Sequence, residues 1–71
     1  MKENINFQFG QQVAQLRRDL GLTQEDLADR CNIHRTYMGA IERGEKSPTL
    51  NTLEKIATGL SVSIGELTAN L

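Results

Sequence analysis

Apolar positions recur at helical spacing along almost the whole chain. Ile5, Phe9, Val13, Leu16 and Leu20 follow one another at steps of four, four, three and four, one face of an amphipathic helix. Gly21 supplies a left-handed stop, and Arg17 and Arg18 suit the negative end of that helix. A second helix is expected from Gln24 to about Arg30. Thr23 is its N-cap, Asp26 completes a short-armed capping box, and Leu22 and Leu27 stand at the positions of a hydrophobic staple. Asn32, which tolerates a left-handed backbone, marks a tight turn. A third helix follows from Arg35 to near Arg43, with Ile33 and Met38 at staple spacing around His34 and Gly44 just beyond. Leu27, Ala28, Cys31, Ile33, Met38 and Ile41 form the apolar set of this pair, and the small Ala28 lets the second helix of the pair cross closely.

Downstream, Pro48 biases Ser47 toward an extended backbone. Thr49 caps a fourth helix carrying Leu50, Leu53, Ile56, Ala57 and Leu60, with Gly59 weakening or capping its end. Ser63 to Glu66 is a full S-x-x-E capping box with Val62 and Leu67 as staple partners, and a short fifth helix is expected to run to Leu71. Residues 1–5 carry no clear periodic signal and are expected to fray. No strand-like alternation, repeat or low-complexity segment occurs. The expectation is an all-α, five-helix fold in a single domain, 1–71.

The stretch from residue 23 to 43 leaves Arg35, Thr36, Tyr37 and Arg43 facing outward from its second helix, the design of a helix-turn-helix offered to a DNA major groove. It resembles the helix-turn-helix family of phage lambda repressor and Cro, the xenobiotic-response-element-type regulators. The matching residues are Thr23-Gln24-Glu25-Asp26-Leu27-Ala28, Ile33, Ile41-Glu42-Arg43-Gly44 and Pro48, continued by Leu53, Ile56, Ala57, Leu60 and Val62. Within that family, the length and the Arg-Thr-Tyr sequence most resemble stand-alone members: Cro-like repressors and controller proteins of bacterial restriction–modification systems.

The resemblance implies sequence-specific binding of double-stranded DNA by a homodimeric transcriptional regulator. It also implies a phosphate contact for Gln24 and a buried ion pair between Arg17 and Glu42. Arg35 has the geometry for guanine O6 and N7, and Thr36 for a thymine. Arg43 suits a phosphate. Two readings stand for Tyr37, contact with DNA or packing on the protein, and two for Lys46, a phosphate contact or simple solvation. The sequence departs from the family pattern at His34, where Ser, Thr or Asp usually caps the recognition helix, and at Gly39 and Ala40, where longer polar readers are common. The candidate DNA surface is therefore Thr23, Gln24, His34, Arg35, Thr36, Tyr37, Gly39, Ala40, Arg43 and Lys46. Ile64, Leu67 and Leu71 are the candidate dimer interface.

Charge complicates this reading. Nine acidic against eight basic side chains give a formal net charge of −1 over 71 residues. A DNA-binding domain is usually basic, so specific contacts or dimerisation must supply more of the binding. The bases are unevenly placed: Arg17, Arg18, Arg30, Arg35, Arg43 and Lys46 cluster in and around the helix-turn-helix, whereas Glu3, Glu54 and Glu66 lie outside it.

One cysteine and one histidine exclude an internal disulfide and leave a zinc site short of ligands; no metal or cofactor is expected. Cys31 reads as a small buried hydrophobe in preference to a redox sensor. A chain this short draws only ~3–5 kcal/mol from one core, which makes helix packing and dimerisation the expected sources of stability. No constellation of groups suggests an enzyme. There is no membrane-length apolar run and no signal-peptide core, so a cytoplasmic protein is expected. Two rival readings are an antitoxin of the same fold, to be marked by a toxin-binding tail for which these residues leave no stretch, and a helix-turn-helix used only for protein–protein contact.

Overall fold

The computed structural model describes residues 4–71. Among them are five helices and no strand: α1 Ile5–Asp19, α2 Gln24–Cys31, α3 Arg35–Glu42, α4 Leu50–Leu60 and α5 Ile64–Leu67. Of the segment expected to fray, Met1–Glu3 lie outside the described residues. Asn4 is the N-cap of α1, its side chain accepting from the Asn6 N–H at 2.7 Å, and Ile5 is already helical.

Each helix starts on a side-chain acceptor. Thr23 and Ser63 form complete capping boxes with Asp26 and Glu66, and Thr49 accepts from the Thr52 N–H. α1 to α4 all end in a Schellman turn. The left-handed residue is Gly21 (φ 72°), Asn32 (φ 56°), Gly44 (φ 78°) and Ser61 (φ 59°) in turn. The next N–H in each case reaches the carbonyl five residues back: Leu22 to Arg17, Ile33 to Ala28, Glu45 to Ala40 and Val62 to Ala57, at 2.9–3.1 Å. Orphan carbonyls are satisfied this way within connections too short to need other partners. The left-handed residue ending α4 is Ser61 rather than Gly59.

Gly59 instead marks a close crossing. It is buried inside α4, where an added Cβ would overlap the Cys31 sulfur of α2. Gly10 does the same for α1 on α3, since a Cβ there would run into the main-chain carbonyls of Ile41 and Glu42. These contacts seat α1 on α3 and α4 on α2, around a core of Phe9, Val13, Leu27, Ala28, Cys31, Met38, Ile41, Ile56, Ala57, Leu60 and Leu67.

Several apolar positions differ from the periodic reading. Ile5, Leu20 and Leu50 are 61%, 50% and 80% exposed. α1 buries Phe9, Gly10, Val13 and Ala14, a face rotated toward α3 by the contact at Gly10. α5 stops at Leu67, short of the expected end at Leu71. No helix among the described residues is long and apolar enough to cross a membrane.

Candidate nucleic-acid interface

A buried polar network fixes the two helices of the helix-turn-helix. Arg17 of α1 donates from Nε to Glu42 Oε2 at 2.8 Å and from Nη2 to Glu42 Oε1 at 3.1 Å. Its Nη1 donates to the Leu22 carbonyl at 2.8 Å, on the turn before α2. Gln24 Nε2, in the first turn of α2, donates to Glu42 Oε1 at 3.0 Å. The side chains of Arg17 and Glu42 are only 12% and 5% exposed, so the planar fork of the guanidinium is matched to the carboxylate away from most of the water. One carboxylate at the end of α3 thus ties α3 to α1 and to the start of α2. The same bond gives Gln24 a structural role that the sequence did not suggest. One N–H of its amide is engaged inside the protein, while the side chain also lines an open cleft beside α3.

The turn itself is built locally. The Thr23 N–H donates to Asp26 Oδ2 at 3.0 Å, and this, with the Thr23 hydroxyl, holds the Asp26 carboxyl below its ordinary value. His34, an unusual residue at an N-cap, fills the role with Nδ1, which accepts from the Thr36 N–H at 3.1 Å. Burial raises the Cys31 thiol to about 11, which keeps it protonated and unreactive at neutral pH.

Outside this frame, Thr23, Gln24, Glu25, Arg35, Thr36, Gly39 and Arg43 line one open cleft between the start of α2 and the outer face of α3. Gly39 forms its floor; a Cβ there would press on the Arg43 guanidinium at 3.1 Å. Arg35, Thr36 and Arg43 are exposed, as is Lys46 beyond the end of α3. Two expected positions are displaced from this face. Ala40 is 7% exposed although helical spacing puts it four residues after Thr36 and three before Arg43, so it is the packing around α3, not the period, that covers it. Tyr37 is half-buried and packs against the core cluster, which favours the protein-packing alternative for its ring.

Both arginines of the cleft have acidic partners that the sequence reading did not single out. Arg35 Nη1 donates to Glu25 Oε2 at 2.9 Å across the two helices. Arg43 donates to both oxygens of Glu45, at 2.7 and 3.2 Å. Only the second pair could be found from spacing, because its members are two residues apart. The first requires knowing how α2 and α3 meet.

At the opposite end of the helix order, Leu67 is fully buried and closes the core, so it offers nothing to a second chain. Ile64 and Leu71, its companions in the expected interface, are 44% and 42% exposed.

The profile of the Helix-turn-helix family matches residues 13–67, a span running from α1 through α5. The chain belongs to this family, of Cro/C1 type. A DNA-binding regulatory role goes with that membership. The chain is 43% identical over 68 residues to Control protein C.BamHI of Bacillus amyloliquefaciens, covering 94% of this chain and 84% of that protein. It is 35% identical over 69 residues to Control protein C.MunI of Mycoplasma sp, covering 96% and 93%. The crystal structure of the restriction-modification controller protein C.AhdI from Aeromonas hydrophila superposes with a TM-score of 0.85 at 39% identity, over 87% of this chain and 94% of that one.

Proposed function

We propose that the protein is a sequence-specific regulator of transcription of the controller type, working as one domain and binding a palindromic operator in the cytoplasm as a homodimer. α3 enters the major groove. Arg35 and Thr36 on its first turn read base edges, while Arg43 and Lys46 meet phosphates. The observation that carries this reading is the division of α3 into two faces. Met38 and Ile41 are wholly buried, and Arg35, Thr36 and Arg43 stand together on an open cleft. A recognition helix needs that division, with a rigid seat behind and several hydrogen-bonding groups in front. The relatives named as control proteins support the regulatory class.

Dimerisation is supported by apolar surface left over after the core is closed. Ile64 and Leu71 are exposed, and Leu71 lines a shallow, mostly apolar groove with Ile5, Phe9, Pro48 and Leu53. One helix-turn-helix reads only a few base pairs, and two related by a two-fold axis place their recognition helices ~34 Å apart, one turn of DNA. Anisotropy titration of a labelled duplex carrying the sequence upstream of the protein's own reading frame tests the proposal. Tight binding to that duplex and weak binding to a shuffled copy are expected. Equal affinity for the two would sink it.

A further inference from the structure

The cleft in front of α3 holds two cations; Glu25 lines it beside Arg35, and Glu45 pairs with Arg43 from just beyond the end of α3. Arg35 is held by Glu25 and Arg43 by Glu45, so the groups best placed for DNA meet it already paired. We propose that Glu25 and Glu45 are specificity-determining residues: they hold the recognition arginines in intramolecular pairs and so suppress binding to DNA of arbitrary sequence. This rests on the DNA-binding function proposed above and assigns the two carboxylates a part in it.

The four side chains are all 55–68% exposed. Exposed pairs of this kind contribute little to folding, so they can be exchanged for DNA contacts readily. Their effect on DNA binding is different in kind. Nonspecific affinity depends on how many phosphates the protein neutralises, each releasing condensed counterions. An arginine that keeps its carboxylate partner neutralises no phosphate, and one that leaves it exposes a carboxylate to the DNA. Arbitrary sequence offers only phosphates in return. A correctly placed guanine adds two directed hydrogen bonds to Arg35 and makes its exchange favourable, and the docking so fixed brings Arg43 onto a phosphate in register. The Glu45 carboxyl is held below its ordinary value and the Arg43 guanidinium above its own, chiefly by their mutual hydrogen bonds, so the pair stays ionised through the neutral range. Gly39 leaves room beside the Arg43 guanidinium, on which an added Cβ would press at 3.1 Å. The chain's net charge of −1 points the same way, since a face already compensated within itself adds little general attraction for DNA.

The test compares wild type with Glu25→Gln/Glu45→Gln on two labelled duplexes, the upstream sequence and a shuffled copy, over a range of salt. All four groups are exposed, so melting curves should coincide. Affinity for the shuffled duplex should rise roughly tenfold at or below 0.1 M salt, with a log–log salt slope steeper by about two. Affinity for the upstream duplex should rise threefold or less, so discrimination falls. Glu54→Gln removes one carboxylate on α4 outside the cleft, half the charge change, and should alter neither affinity by more than twofold. An unchanged shuffled-duplex affinity and salt slope would overturn the proposal. So would equal gains on both duplexes, which would make the carboxylates a uniform repulsion. If wild type and variant bind no duplex at all, the DNA-binding proposal falls and takes this one with it. If wild type discriminates and the variant discriminates equally well, only this one falls.

Discussion

Arg17 and Glu42, 25 residues apart in sequence, meet through two parallel hydrogen bonds at 2.8 and 3.1 Å, and the same carboxylate also receives Gln24. The pair lies where α1, the turn into α2 and the end of α3 converge. It is therefore a joint of the recognition unit as well as an ion pair. Desolvation offsets much of the attraction within such a pair, and the larger effect is the strand of charge left behind when one partner is removed.

Glu42→Ala should accordingly cost ~3–5 kcal/mol, since it leaves the Arg17 guanidinium nearly buried without its carboxylate. Set against the ~3–5 kcal/mol expected of a small core, that loss should leave the chain largely unfolded near room temperature. Thermal melting followed by circular dichroism checks this. A variant that melts like wild type would show that the pair holds nothing together.

Readout should concentrate at the first turn of α3. Arg35→Ala is expected to weaken operator binding by ~1–3 kcal/mol and to relax selectivity at one base pair. Titrations against a set of single-base operator variants would reveal this. Equal loss on operator and shuffled DNA would make Arg35 a phosphate contact.

Assembly is tested at Ile64, which is 44% exposed beside the buried Leu67. Ile64→Glu should give folded monomers in sedimentation, with weakened operator binding, whereas wild type sediments as a dimer at micromolar concentration. A monomeric wild type, or a dimeric variant, would remove Ile64 from the interface.

At Gly59, local propensity and tertiary packing predict opposite signs. Alanine in a helix interior is favoured over glycine by ~1 kcal/mol. The Cβ at this position, however, would enter the space of the Cys31 sulfur, and overpacking of that kind costs ~1–3 kcal/mol. Gly59→Ala should therefore lower the melting temperature, and adding Cys31→Ala should recover part of the loss. Urea unfolding of the two single variants and the double variant gives the coupling directly.

The capping box of α2 should impose an acid limb on stability. Asp26 has a folded value below its ordinary 3.8 because the Thr23 N–H and hydroxyl hydrogen-bond to its charged form. Between the folded and unfolded values the unfolded chain binds more protons, so stability rises with pH there. The contribution is complete above 3.8 and is lost as pH falls through the lower folded value. Asp26→Asn should remove this part of the pH dependence. A variant whose stability falls with acid along the same curve as wild type would assign that limb to other carboxyls.

Much of the fold was legible because its signals are local. An N-cap, a left-handed C-terminal residue and a staple act within about one turn of chain, and Thr23, Asn32, Thr49 and Ser63 stand where the sequence places them. The order Thr23-Gln24-Glu25-Asp26-Leu27-Ala28 to Ile41-Glu42-Arg43-Gly44 was enough to point to the family. What only the tertiary structure decided depends on the angle and distance at which helices cross. Gly10 and Gly59 set the crossings. The crossings leave Ile5, Leu20 and Leu50 exposed and cover Ala40. They carry Gln24 to Glu42 and Glu25 to Arg35, groups 18 and 10 residues apart. Helical periodicity reports which side of one helix is apolar. It carries no record of which charge on a neighbouring helix will be within reach, because that distance is set jointly by the packing of both.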